Sequence, residues 1–96
     1  MQIHEFQEMM WQLYFKRDCE RGIHGTFKWL VDEVEELGEE VCKGTDREAT
    51  EKEFADVIAW LASLANIMGI DLEKATINKY DHKCPKCLQS PCQCTF

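Results

Sequence analysis

From Ile3 to about Asp81 the apolar residues recur every three or four positions, a spacing that admits helices and little else. Strand-like alternation is missing, and Pro is absent until Pro85. The helical pattern is punctuated at Gly22 and Gly25, at Gly44 and at Gly69, so it divides into four segments. The first runs from Ile3 to about Glu20 on Ile3, Phe6, Met10, Leu13 and Tyr14. Thr26 is placed to cap a second segment reaching about Lys43, with the stripe Leu30, Val34, Leu37 and Val41. Thr45 or Asp46 can cap a third, and Thr45 with Glu48 fits a capping box. Its stripe is Phe54, Val57, Ile58, Leu61, Leu64, Ala65 and Met68, and Gly69 ends it. Asp71 caps a short fourth segment. The expectation is an all-α four-helix bundle over residues 1–83, followed by a Cys-rich tail over 84–96.

A domain of 96 residues buries a modest share of its surface, so a metal or a second copy is the usual supplement. A homodimer or homotetramer is expected. The net charge of -7 opposes general binding to nucleic acid or to anionic lipid, both of which reward a basic face. No run approaches the ~20 apolar residues of a membrane span. No basic flank precedes an apolar run at the N-terminus, so the expected location is cytoplasmic.

The acids are unevenly placed: Thr26 to Asp56 holds eleven Asp or Glu against four Lys or Arg. On a wheel of about 100° per residue, Glu33, Glu36 and Glu40 flank the apolar stripe of the second segment. Asp32, Glu35 and Glu39 point to the opposite side, where water solvates them. In the third segment Glu53 and Asp56 are i,i+3 neighbours on the flank that carries Trp60. A short turn would bring Glu33 and Glu36 face to face with Glu53 and Asp56. Like charges at the edge of a core are costly unless a cation joins them, and magnesium suits few carboxylates plus phosphate oxygens. At this level a solvated acidic surface and a cation site both stand.

Asp32-Glu33-Val34-Glu35-Glu36-Leu37, followed after sixteen residues by Glu53-Phe54-Ala55-Asp56-Val57, resembles the MazG-like nucleotide pyrophosphohydrolases. That family, in the all-α NTP pyrophosphatase superfamily, carries E-E-x-x-E and then E-x-x-D. Phe27-Lys28-Trp29-Leu30, Ala55 to Leu61 and Gly69-Ile70-Asp71-Leu72 extend the resemblance, which covers roughly residues 1–83. Asp32 stands where the family commonly has Glu, and Glu35 where Gly is frequent.

The resemblance implies a four-helix, oligomeric fold and Mg2+-dependent hydrolysis of (d)NTP to (d)NMP and pyrophosphate, with Mn2+ as a substitute metal. It carries the metal ligands over as Glu33, Glu36, Glu53 and Asp56. Glu36 or Glu40 is then the candidate to orient or deprotonate water. Phosphate contacts are sought among Lys16, Arg17, Arg21, Asn78 and Lys79. The base is expected to stack on Phe27, Trp29 or Trp60, or to be read by His24. Phosphoribosyl-ATP pyrophosphohydrolase is the rival activity within the same helical plan. A non-catalytic helical adaptor with a zinc tail is the rival outside enzymes.

Four of the six Cys crowd the tail as Cys84-x2-Cys87-x4-Cys92-x-Cys94, while Cys19 and Cys42 stand singly. Clustering of this kind reads as a metal site rather than a disulfide scaffold. Cys-Pro-x-Cys aims two thiolates at one point, so Cys84, Cys87, Cys92 and Cys94 are candidate zinc ligands, with His82 to spare. A reduced, unstructured tail and a disulfide-linked one are the alternatives.

Overall fold

Gly22 sits at φ 85, ψ 171, a conformation outside the helical region, yet helix continues on both sides of it. In the computed structural model, which describes residues 1–95, the first two expected segments are therefore joined end to end as two helical arms with a break at Gly22 and no loop between them. Helix α1 spans Ile3–Lys43, α2 spans Arg47–Met68 and α3 spans Leu72–Lys79. Among the described residues there are three continuous helical stretches and no strand, the first of them made of two arms that meet at Gly22. The physical reason is that Gly22 turns the chain within a single residue, at a φ that L side chains rarely adopt. No loop is needed, and Thr26 is not a cap. It lies inside α1, fully buried, where its hydroxyl receives a hydrogen bond from Arg21 Nη1 at 3.2 Å.

The other boundaries follow local chemistry. Glu5 Oε1 accepts the Gln2 N–H at 3.0 Å at the start of α1. Gly44, at φ 63, closes it in the left-handed conformation that its missing Cβ permits. Asp46, rather than Thr45, caps α2 by accepting the Ala49 N–H at 3.1 Å. Gly69 ends α2, and Asp71 caps α3 by accepting the Lys74 N–H at 3.1 Å. Helix α3 stops at Lys79, two residues before the expected end near Asp81.

Helix α2 doubles back along α1, so the partners run in reverse order. Glu33 meets Glu53 and Asp56, Trp29 stacks on Trp60, Gln7 meets Asn66, and His4 meets Glu73 on α3. The Gln7 amide is fully used: it donates to Asn66 Oδ1 at 3.0 Å and to Ile70 O at 2.7 Å, and accepts the Leu72 N–H at 3.0 Å. This clasp pins the start of α1 to the α2–α3 turn.

The surface between the helices differs from the apolar stripes. Leu30 and Leu37 are half-buried, but Val34 and Val41 are about half exposed, at 49% and 57%. The inner line of α1 is Thr26, Leu30, Glu33, Leu37 and Glu40, with Glu33 on it rather than beside it. On α2, Ala62, Ser63, Ala65 and Asn66 are buried while Phe54, Ile58 and Leu61 are exposed. The fully buried part of the interhelical seam thus takes small and polar side chains, Leu30, Leu37, Val57 and Leu64 are half-buried, and Val34, Val41, Phe54, Ile58 and Leu61 face outward. Among the described residues no single helix is long and apolar enough to cross a membrane, and the α2–α3 pair is bent by 99°.

Candidate active site

Three acidic side chains converge where the second arm of α1 crosses the first half of α2. Glu33 from α1 and Glu53 and Asp56 from α2 each bring a carboxylate oxygen to within 4.8 Å of the other two. Helical spacing puts Glu53 and Asp56 one turn apart on the same face, and the three-residue connection 44–46 fixes their level against Glu33. Glu33 is 9% exposed. One oxygen of Glu33 and one of Glu53 are buried with no hydrogen-bond partner.

That arrangement disfavours ionisation. Loss of water, then a hydrogen bond that protonated Glu33 donates to Glu36 and repulsion from Glu36, Asp56 and Glu53, push the Glu33 carboxyl up to about 7. Glu53 is also raised, first by loss of water and then by repulsion from Glu36, Asp56 and Glu40. Glu36 is exposed and lies outside the tight group of three, although its charge acts on both inner acids. Glu40 is half-buried and pairs with Lys43 at 3.5 Å.

Asp56 also lines a cavity of about 310 Å³ between the first arm of α1 and α2, shared with Tyr14, Arg17, Asp18, Arg21 and Trp60. Arg21 organises its floor. Nη1 donates to Asp18 Oδ1 at 2.9 Å, and the guanidinium lies 4.6 Å from the centre of the Trp60 ring. Trp60 in turn stacks on Trp29 with ring centres 5.4 Å apart and 9° between planes. Asp18 is 1% exposed, and its second oxygen has no partner.

Orphaned carboxylate oxygens of this kind, gathered from facing helices, fit a hard divalent cation. The sequence profile of the MazG nucleotide pyrophosphohydrolase domain matches residues 21–88. The chain belongs to that family. No curated protein matches it. The MazG match takes in the second arm of α1, all of α2 and α3, and every acid of the cluster. It ends between Cys87 and Cys92.

Of the substrate candidates, Arg17, Arg21 and Trp60 line the cavity beside this MazG acidic cluster, and Trp29 supports Trp60 from behind. Lys16, His24 and Phe27 are exposed and do not line it. Asn78 and Lys79 are exposed on α3, and the Lys79 ammonium lies 5.7 Å from the Tyr80 ring. A shallower hollow of about 450 Å³ around His4, Trp11 and Asp71 contains none of the acidic residues. Asp18 is not singled out by the sequence pattern, and Thr26 only as a helix cap. Asp18 had a usable signal: it lies one turn beyond Tyr14 and two beyond Met10, on the buried face, with Arg21 at i+3.

Proposed function

We propose that the chain is a Mg2+-dependent, cytoplasmic nucleoside triphosphate pyrophosphohydrolase that converts (d)NTP and water to (d)NMP and pyrophosphate. The observation that carries this reading is the convergence of Glu33, Glu53 and Asp56 with two buried, unpartnered oxygens. A solvated acidic face would leave those oxygens in water. Glu33, Glu36, Glu53 and Asp56 would hold the metal, with Mn2+ as a substitute. When bound, the metal neutralises phosphate charge and lowers the pKa of a bound water.

The remaining work falls to the chain. Glu36, which is exposed, or Glu40 would accept the proton of the attacking water as its oxygen bonds to the α-phosphorus. The bond from the α-phosphorus to its bridging oxygen breaks, and pyrophosphate leaves. Arg17 and Arg21 would meet phosphate oxygens from the cavity side, and the face of Trp29 turned away from Trp60 would be the platform for the base, since Trp60 lies between Trp29 and Arg21. The outward apolar residues Val34, Val41, Phe54 and Ile58 support a homodimer or homotetramer, the assembly that would cover them.

The test is a panel of NTPs and dNTPs incubated with Mg2+, products separated by chromatography, with Glu53→Gln alongside. Monophosphate and pyrophosphate, lost in the variant, are expected. Orthophosphate as the first product would mean attack at the γ-phosphorus and end this reading. Turnover of phosphoribosyl-ATP alone would replace the substrate. No turnover at all from folded protein would favour the adaptor.

A further inference from the structure

The tail beyond α3 has no apolar core of its own. Among residues 81–95 every side chain is exposed except Cys84, Cys87 and Cys94, so the thiols themselves form the interior. The four sulfurs of Cys84, Cys87, Cys92 and Cys94 lie within 4.8 Å of one another. Cys84 Sγ is 3.7 Å from Cys94 Sγ, and Cys87 Sγ is 3.9 Å from Cys92 Sγ. A disulfide requires about 2.05 Å. Four thiolates at about 2.3 Å from one zinc ion in a tetrahedron stand about 3.8 Å apart, which matches both pairs.

The backbone is arranged for the same purpose. Gln93 N–H donates to Cys87 Sγ at 3.3 Å, and Cys94 N–H donates to Cys92 Sγ at 3.3 Å. Such donors stabilise negative sulfur, which a row of neutral thiols does not require. The first knuckle is closed by Leu88 N–H to Cys84 O at 2.8 Å, with Leu88 held at φ 61, and by Cys84 N–H to Gln89 O at 3.0 Å. His82 is excluded from the set: it lies outside the sulfur cluster, nearly fully exposed, with Nε2 3.9 Å from Asp81. Lys83 precedes the first pair and Lys86 lies within it, and both would offset the negative charge of a four-thiolate centre.

We propose that Cys84, Cys87, Cys92 and Cys94 form a structural Zn(Cys)4 site that orders the tail, separate from the acidic cluster and independent of it. Four soft sulfur ligands in a closed tetrahedron select zinc over the hard cation that carboxylates take. Each thiol gives up its proton to solvent on binding, and no position is left open for a substrate.

The full chain, purified in mild reductant without chelator, is assayed for metal by plasma spectrometry, and its metal-free form is titrated with Co2+. One zinc per chain is expected, with intense thiolate-to-cobalt charge-transfer absorption. The double variant Cys87→Ser/Cys92→Ser should lose the zinc and the band yet keep its helical circular dichroism, because the tail lies beyond α3. Glu53→Gln should keep both, which separates this site from the acidic one. Zinc retained by the double Cys variant, iron in place of zinc, or no thiolate band in the parent chain overturns the proposal. So do disulfides mapped in anaerobically purified protein.

Discussion

Glu33 and Glu53 approach each other across the α1–α2 seam with one oxygen apiece buried and unpartnered. Two carboxyls so placed destabilise the helix pair when both are charged, and only a cation or a proton relieves them. Glu33→Gln should therefore stabilise the metal-free protein by about 1–2 kcal/mol, a rise in Tm of roughly 4–8 °C or more for a domain this size. The same substitution should abolish hydrolysis. Thermal melts with and without Mg2+ check it: the parent chain should gain stability from the metal and the variant should not. A variant that melts lower than the parent without metal would show that Glu33 is already satisfied.

Metal uptake should also release a proton. The Glu33 carboxyl, lifted to about 7 by burial, is largely protonated at pH 6, and a cation must displace that proton. Its folded value lies above its ordinary 4.5, so its contribution to metal-free stability is full below about 4.5 and is lost as pH rises through about 7. Calorimetric Mg2+ titrations at pH 6 in buffers of different ionisation heat should differ, and at pH 8.5 they should converge. Identical heats at pH 6 would mean that Glu33 is ionised before the metal arrives.

Asp18 holds Arg21 beside Trp60, and removing the acid leaves a guanidinium three-quarters buried without its counter-charge. Asp18→Ala should cost about 3 kcal/mol in urea denaturation, at the low end for a broken buried pair because Arg21 still reaches solvent and Thr26. Asp18→Asn, which can still accept from Arg21, should cost less than half as much. Equal losses from the two substitutions would assign the effect to packing rather than charge.

At the opposite end of α2, His4 Nδ1 lies 3.0 Å from both oxygens of Glu73 and ties α3 to the N-terminus. The Glu73 carboxylate raises His4 above its usual 6.5, and His4 in turn lowers Glu73 below 4.5. The His4 contribution is complete below 6.5 and fades as pH rises through the raised value. The Glu73 contribution is complete above 4.5 and fades as pH falls through the lowered value. Amide exchange of α3 should accordingly be slowest between about 4.5 and 6.5 after correction for intrinsic rates. His4→Ala should flatten that profile; an unchanged profile would remove the bridge as its cause.

The parts of the fold that were legible in the sequence are those settled within a few residues. Asp71 as a cap and Gly44 and Gly69 as stops depend on side chain and backbone within one turn, and they hold. The facing of Glu33 toward Glu53 and Asp56 was legible because a three-residue connection leaves two helices no other level at which to meet. What was lost came from Gly22. Spacing locates the break at Gly22 but not how abrupt it is: the next arm resumes at once, so Thr26 lies inside it rather than at its cap. The wheel also placed Val34 and Val41 inward because it assumes that apolar residues face their own chain. Here Thr26, Ala62, Ser63 and Ala65 take the fully buried positions of the seam, and Val34 and Val41 face out.

Those outward residues give the prediction on assembly. Ile58 is 51% exposed and lines an apolar hollow of about 350 Å³ with Ile3, Phe6, Ala55, Ala62 and Leu72. Among the described residues only Met10, Ala62 and Ala65 are buried apolar side chains, and such a surface is more than a lone domain of this size normally leaves to water. A second copy laid on it would remove Ile58 from solvent, at a gain of about 1–2 kcal/mol for each side chain of that size. Ile58→Glu would place a charge there and, by symmetry, face it with its own copy. Sedimentation equilibrium should show the parent chain as a dimer or tetramer and the variant shifted towards monomer, with a Tm that falls and depends on protein concentration. An unshifted oligomer would move the interface to the Val34–Val41 side of α1, where Val34→Asp is the corresponding substitution.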